Sequence, residues 1–262
     1  FEDAPPLASR IGTLEFEAGK ENRETLDTLV KMGFEPLPAY AIVSEWFKGD
    51  YFALKSESAR ADLQTILPAL LDALARSGSA DTALLACDRF FAELVEGTRL
   101  FAALRTHPDL VELIALILGT APRLGDIVAR TPSLLDALLD PAFFGTMPSE
   151  AVLTERLDAL LAGATEEEVF DRSRRFGREQ MVLIGVRILS GVVSAGKAGE
   201  AYATLADVLI RALHRETEKR FAETYGRMAD SQTAILALGK LGGREMTAGS
   251  DLDLLLLYHF DP

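Results

Sequence analysis

The chain has 262 residues, of which 48% are hydrophobic and 26% are charged. This composition is typical of a soluble globular protein with one large domain or two modest ones. The formal net charge of −13 argues against a nucleic-acid partner, because binding a phosphate backbone needs a basic surface. The single cysteine, Cys87, excludes an internal disulfide framework and favours a reducing, cytoplasmic compartment.

Neither a signal peptide nor a membrane span is predicted. The opening residues 1–6 are acidic and proline-rich, unlike a secretory leader. The most apolar stretch, residues 181–193, is too short to cross a bilayer and carries Arg187 in its middle. We therefore expect a protein without a membrane partner.

Helical periodicity dominates most of the chain, because apolar residues recur at the spacing of amphipathic helices. The predicted helices cover residues 21–32, 40–47, 59–76, 82–95, 99–104, 108–118, 153–161, 166–189 and 199–225. Pro36 and Pro38 are expected to mark a turn. Gly119, Pro122 and Gly125 are expected to break the central region into short helices.

Two pairs of residues predict where helices begin. Thr131 followed by Pro132 is typical of an N-cap and a first helical residue. Thr165 and Glu168 have the spacing of a capping box at the start of a long helix.

The last residues of the chain follow a different pattern. An apolar run at residues 234–238 meets the glycine-rich sequence Gly-Lys-Leu-Gly-Gly, and Asp251 and Asp253 open a second apolar run at 254–258. Short apolar runs bounded by glycine and polar residues predict two buried strands. Residues two apart in a strand share a face, so the carboxylates are expected to project together, about 7 Å apart along the backbone.

This arrangement predicts a site for phosphate and metal. Paired carboxylates suit Mg²⁺, which binds through one or two carboxylates and substrate phosphates. Glycines let the backbone approach a ligand closely, and amides at a helix start favour an anion. The alternative is a capped hairpin or βαβ piece whose Asp251 and Asp253 side chains are merely solvated.

The spacing resembles the signature of the nucleotidyltransferase superfamily, in which glycine and a Gly or Ser precede Asp-x-Asp by about ten residues. Here the spacer from Leu241 to Ser250 is ten residues long, and Lys240 replaces the usual Ser or Gly. The longer string GKLGGREMTAGSDLDL is similar to the motif of the bacterial glutamine synthetase adenylyltransferases. Residues 54–60 and 130–141 resemble the region that precedes the second catalytic half of those enzymes.

The resemblance implies a mostly α chain with the beginning of an α+β nucleotidyltransferase domain, that is, about ten helices followed by two strands. It assigns residues 1–75 to a helical linker, 76–228 to a helical bundle and 229–262 to the start of a catalytic core that continues further. Enzymes of this kind transfer AMP from ATP to a tyrosine of glutamine synthetase and so regulate nitrogen metabolism. The carboxy-terminal half adds AMP and the amino-terminal half removes it, and the upstream helices favour the adding half.

By resemblance, Asp251 and Asp253 would be the catalytic residues and would bind Mg²⁺. The residues that would position the triphosphate of ATP are Gly239, Lys240, Gly242, Gly243 and Ser250. Ser250 could instead orient the turn. A third carboxylate is expected from a later strand, so this chain alone is expected to be inactive.

A second hypothesis makes the chain a helical interaction module. It would link two catalytic halves and dock a PII-type signal protein without itself being catalytic. His107, His214 and His259 are expected to have ordinary surface or strand-end roles. The arginines at 172, 174, 175 and 178 could grip phosphate or an acidic partner, but a salt-bridged helix face is the favoured interpretation.

Overall fold

A computed structural model describes residues 14–16, 22–94, 96–140, 143, 145–227 and 231–259. These residues form twelve α-helices and one two-stranded sheet, which confirms the predicted mostly α fold with the beginning of a β region. None of the helices in these ranges combines the length and apolar character that a membrane span requires. Contacts divide the chain into two compact units, residues 1–141 and 142–262. The three-part division predicted from the sequence stays a prediction.

The described part of the first unit contains eight helices. They are α1 (Arg23–Met32), α2 (Pro36–Trp46), α3 (Glu57–Arg76), α4 (Ala80–Glu93), α5 (Thr98–Thr106), α6 (Pro108–Thr120), α7 (Pro122–Arg130) and α8 (Pro132–Leu139). The core of this unit contains a group of aromatic side chains, in which the rings of Trp46 and Phe101 pack edge-on against the ring of Phe91 with centroid distances of 4.9 and 5.1 Å. Cys87 is fully buried as a free thiol, and burial raises its pKa well above the ordinary value.

Two breaks expected from the sequence are wrong, because proline begins a helix here and glycine lets two helices pack closely. Helix α2 begins at Pro36 and includes Pro38, since the first turn of a helix has no use for the missing N–H. The chain does break after Gly119, since α6 ends at Thr120 and α7 begins at Pro122, but Gly125 lies inside α7. A methyl group at Gly125 would lie 2.6 Å from Cδ2 of Leu118, so this glycine lets adjoining helices approach closely.

The second unit is built from α9 (Glu150–Leu161), α10 (Glu166–Leu189), α11 (Ala195–Tyr225), β1 (Gln232–Ala237), α12 (Gly239–Gly242) and β2 (Leu254–His259). The capping box predicted for Thr165 and Glu168 is present at the start of α10. Side chains from α9, α10 and α11 form one core, which includes Leu157, Phe176 and Ala203.

The two strands run antiparallel, with Gln232 opposite His259 and Ala237 opposite Leu254. The prediction that both strands are buried is wrong. Leu254 is 42% exposed and Leu256 is 58% exposed, and of the β1 residues Ile235 is half-buried while the others are exposed. The faces of a two-stranded sheet are buried only where other elements of the fold pack against them.

Candidate active site

The glycine-rich turn connects β1 to the short helix α12. Gly239 has a φ of +54°, in the left-handed region that side chains with a Cβ rarely adopt. A methyl group on Gly239 would also collide with the carboxylate of Asp253 and lie 3.4 Å from its Cγ. A methyl group on Gly242 would lie 2.5 Å from the carbonyl oxygen of Ala237. Both glycines are therefore required by backbone conformation or by close approach.

A backbone hydrogen bond joins the turn to the Asp-Leu-Asp segment. The amide of Leu238 donates to the carbonyl oxygen of Asp253 at 2.9 Å, directly beyond the paired residues Ala237 and Leu254. This bond places the side chain of Asp253 beside Gly239. The structure thus brings together the two halves of the motif, which are separated by about ten residues in the sequence.

Asp251 and Asp253 both have exposed side chains. They precede β2, which begins at Leu254, and do not lie within the strand itself. The expectation that they stand at the mouth of a buried strand is wrong in one respect, because that strand is exposed. An exposed carboxylate remains hydrated and available to a ligand without the cost of burying an unpaired charge.

The amides of the turn divide into two groups. Those of Gly242 and Gly243 each donate at 3.0 Å, to the carbonyl oxygens of Leu238 and Gly239 respectively. Within the described part of the chain, the amides of Gly239 and Lys240 have no such acceptor. Among the predicted triphosphate contacts, Gly242 and Gly243 therefore shape the turn with their amides, whereas Gly239 and Lys240 keep a free donor.

Ser250 closes the turn that precedes the Asp pair. Its hydroxyl oxygen accepts a hydrogen bond from the amide of Thr247 at 2.9 Å, and its amide donates to the carbonyl oxygen of Thr247 at 3.1 Å. The hydroxyl therefore orients residues 247–250, as one of the two sequence-based hypotheses proposed. Contact with phosphate stays a prediction.

The loop after α12 is fixed to the helical core by two apolar anchors. Leu241 and Met246 are 2% and 7% exposed and belong to the core formed with α9, α10 and α11. Leu241 within the exposed turn and Met246 after it thus fix this part of the chain to the core. Such anchoring fixes the position of the backbone on which a ligand would rest.

Arg244 supplies a polar anchor that sequence reasoning missed. Its guanidinium donates to Oδ2 of Asp207 at 2.9 Å and to Oγ1 of Thr204 at 2.6 Å, both on α11. Its φ is +57°, the one positive value for a non-glycine residue in the described chain. The backbone also approaches α11 closely, since a methyl group on Gly199 would lie 3.2 Å from the carbonyl oxygen of Arg244.

The donor set fits Mg²⁺, although no group of three or more His, Cys, Asp or Glu side chains in the described residues could hold a metal ion. Magnesium keeps several waters and takes one or two carboxylates together with substrate phosphates, so it does not need a complete protein cage. Asp251 and Asp253 offer the hard oxygen ligands, and Gly239 leaves room beside one of them.

Two of the other polar candidates have salt-bridge partners. Arg172 donates to Oε1 of Glu168 and Arg174 donates to Oδ1 of Asp171, so these two arginines belong to a salt-bridged helix face. His107 is the residue that precedes α6. His259 is the last residue of β2 and lies opposite Gln232.

A glycine-rich turn at the end of β1 is followed by an Asp-x-Asp segment that returns beside it. This is the arrangement expected of a nucleotidyltransferase. Residues 111–262 match the sequence profile of the family described as glutamate-ammonia ligase adenylyltransferase. The chain belongs to this family.

The alignments with similar proteins cover the whole of this chain. It is 57% identical over 263 aligned positions to the bifunctional glutamine synthetase adenylyltransferase/adenylyl-removing enzyme of Xanthobacter autotrophicus, covering all of this chain and 26% of that protein. It is 45% identical to the protein of the same description from a Bradyrhizobium species, covering all of this chain and 27% of that protein. A third relative, from Rhodopseudomonas palustris, is 46% identical, with all of this chain and 26% of that protein covered. The chain thus spans about a quarter of the length of these relatives.

Proposed function

We propose that this chain supplies the first part of the catalytic site of an enzyme that transfers AMP from ATP to a tyrosine of glutamine synthetase. The observation that carries the proposal is the contact between Gly239 and the carboxylate of Asp253. That contact puts a backbone turn suited to phosphate next to a carboxylate suited to a metal ion. Family membership supports the same chemistry, since the relatives are described as adenylyltransferases of glutamine synthetase.

In the proposed reaction, the phenolic oxygen of the tyrosine attacks the α-phosphorus of ATP. A new oxygen–phosphorus bond forms, the bond from the α-phosphorus to the bridging oxygen breaks, pyrophosphate leaves with the electron pair, and the phenolic proton passes to solvent water. Asp251 and Asp253 would hold Mg²⁺, which supplies charge stabilisation at the phosphates when bound. The free amides of Gly239 and Lys240 would orient the triphosphate, and the exposed Lys240 ammonium would add a positive charge beside it.

Arg244 has a positioning role in this proposal. It does not need to touch the nucleotide, because its bonds to Thr204 and Asp207 hold the loop between the glycine turn and the Asp pair. A site whose parts are held within a fraction of an ångström transfers a group faster than a mobile one.

The proposed function also implies protein partners and a cellular compartment. Glutamine synthetase would be the protein substrate, and a PII-type signal protein would regulate the enzyme. A reducing cytoplasm is the proposed compartment, supported by the one cysteine, Cys87, which is a buried free thiol. The 262-residue chain by itself should transfer no AMP, because a third carboxylate is expected from outside it.

The alternative function is a helical interaction module that links catalytic halves and docks the PII-type protein. The extent of the helices favours it, since eleven helices precede β1 in the described residues. The two functions separate in one test. If the chain is an interaction module, Asp253→Asn should leave AMP transfer unchanged. If Asp253 binds the metal, the same change should reduce AMP transfer.

The experiment uses the full-length protein that contains this chain, with labelled ATP, Mg²⁺ and glutamine synthetase. Asp253→Asn should reduce AMP transfer by at least about a hundredfold, as expected for loss of an electrostatic contact made at the transferring phosphate. Removal of AMP from adenylylated glutamine synthetase, assigned to the other half, should be unchanged. Asp171→Asn is the matched control, because this exposed carboxylate pairs with Arg174 on its own helix. Normal transfer by Asp253→Asn would refute the proposal.

A further inference from the structure

Arg187 is a buried cation that the proposed transferase site does not use. It lies near the end of α10 and is 6% exposed. Its Nε donates to the carbonyl oxygen of Phe143 at 3.0 Å, and its guanidinium carbon lies 4.2 Å from the centre of the Phe143 ring. Neither contact neutralises the charge, and no carboxylate pairs with this side chain in the described part of the chain.

An unpaired buried charge is costly, so its presence needs a reason. Burying an ion without a partner costs several kcal/mol, by order of magnitude. Burial lowers the pKa of Arg187, and the nearby charge of Arg156 lowers it further. A guanidinium also has five N–H donors, of which only the Nε donor is accounted for by the Phe143 carbonyl.

Arg187 lines a cleft of about 540 Å³, which we name the Arg187 cleft. It is formed by residues 145–150 together with parts of α9, α10 and α11. Apolar side chains make up much of its wall, among them Met147, Leu153 and Ile184. A cleft of this size with a few polar groups on an apolar wall has the character of a small-molecule site.

The charges around the cleft favour an anion. Glu150 lines it, but its carboxylate is paired with the guanidinium of Arg211. The remaining charged side chains on the wall are Arg187, Lys197 and Glu200, and no ion pair joins them in the described residues. One positive charge is therefore in excess, and in the described part of the chain the terminal N–H groups of Arg187 have no hydrogen-bond acceptor.

We propose that the Arg187 cleft binds a small organic molecule through a carboxylate or phosphate group, with Arg187 as the anchor and the apolar wall holding the rest of the molecule. Two N–H groups of a guanidinium match the two oxygens of either anion. Lys197 at the rim would add attraction at longer range. This binding is independent of the proposed AMP transfer, because its anchor, Arg187, takes no part in that reaction; Thr204, which holds Arg244, also lines the cleft.

The test is calorimetric titration of the 262-residue chain with three probes of similar size. Benzoate carries a carboxylate, phenyl phosphate carries a phosphate, and benzamide is neutral. At least one of the two anions should bind one-to-one with a Kd of about 1 mM or tighter, which corresponds to about −4 kcal/mol, and benzamide should not. The stronger of the two identifies which anion the cleft prefers.

Variants assign the binding to Arg187. Arg187→Gln should weaken anion binding at least tenfold. Arg187→Lys should weaken it less, because the charge remains but the bidentate geometry is lost. Arg174→Gln is the matched control, since it removes an exposed arginine from the same helix outside the cleft. If Arg187→Gln does not fold, Ala201→Phe, which fills the cleft, should abolish binding in its place.

A second measurement is independent of mutation. The Nε–H resonance of Arg187 should shift with added anion and saturate at the same Kd as the calorimetry. Failure of both anions to bind, or equal binding after Arg187→Gln or Ala201→Phe, would overturn the proposal and leave Arg187 as a structural contact to Phe143.

Discussion

Gly239 and Asp253 lie side by side in this structure, so closely that a side chain at position 239 would occupy the space of the carboxylate. The bond from the Leu238 amide to the Asp253 carbonyl oxygen, at 2.9 Å, keeps them in this relation. The contact places a turn suited to binding phosphate beside a carboxylate suited to binding a metal ion.

Gly239→Ala should reduce AMP transfer by the full-length protein at least about tenfold. The left-handed φ costs a residue with a Cβ about 1–2 kcal/mol, and the methyl group must also displace the Asp253 side chain. Gly249→Ala in the same loop is the control, because a methyl group there meets no atom within 4 Å. Equal transfer by the two variants would mean that the Gly239–Asp253 contact has no role in catalysis.

Arg244→Ala and Asp207→Ala should each lower AMP transfer severalfold. The double variant should transfer AMP no more slowly than the slower of the two single variants. The reason is that both remove the same anchor, the 2.9 Å ion pair between the loop and α11. Because both side chains are partly exposed, their coupling in unfolding free energy should be modest, about 0.5–1 kcal/mol. A double-mutant cycle of transfer rates checks this, and strictly additive losses would contradict it.

Leu241→Ala should destabilise the 262-residue chain by about 2–5 kcal/mol, because it removes a core side chain that is 2% exposed. Leu236→Ala is the matched control on β1, where the side chain is 45% exposed, and should cost no more than about 0.5 kcal/mol. Urea unfolding monitored by circular dichroism measures both. Similar costs for the two would show that the loop is not anchored through Leu241.

Glu168→Gln should remove part of the acid sensitivity of the chain. The pKa of Glu168 is lowered, first by the amide and hydroxyl of Thr165 and then by Arg172. A lowered folded-state pKa contributes stability above the ordinary carboxyl value of about 4.3, and this contribution is lost as the pH falls through the folded-state value. The stability difference between wild type and Glu168→Gln should therefore be present at pH 7 and shrink below about pH 4.3.

Glutamine keeps the capping geometry at position 168, because the capping box accepts either Glu or Gln. The comparison therefore isolates the charge. Unfolding free energies of the two proteins at several pH values provide the measurement. A difference that does not change with pH would show that the charge of Glu168 makes no contribution.

The helices could be predicted from sequence because each depends on local periodicity and end signals. The Thr165–Glu168 capping box is an example in which both hydrogen bonds follow from residues three apart. The errors at Pro36 and Gly125 have one cause. Proline and glycine were interpreted as local breaks, whereas proline serves as the first helical residue and glycine gives Leu118 room.

The motif itself was visible in the sequence, but its support was not. Arg244 bonds to Asp207, 37 positions earlier, and a lone arginine after two glycines gives no indication of such a partner. The exposure of β1 and β2 was also missed. An apolar run predicts a strand that tends to be buried, but it does not state which segment supplies the cover.

Metal binding by Asp251 and Asp253 can be tested directly by locating a metal ion in a crystal of the full-length protein with Mn²⁺ and a non-hydrolysable ATP analogue. Anomalous scattering should place Mn²⁺ within about 2.2 Å of carboxylate oxygens of Asp251 and Asp253. The triphosphate should lie over the amides of Gly239 and Lys240. A nucleotide bound with its metal away from both carboxylates would show that Asp251 and Asp253 do not form the metal site.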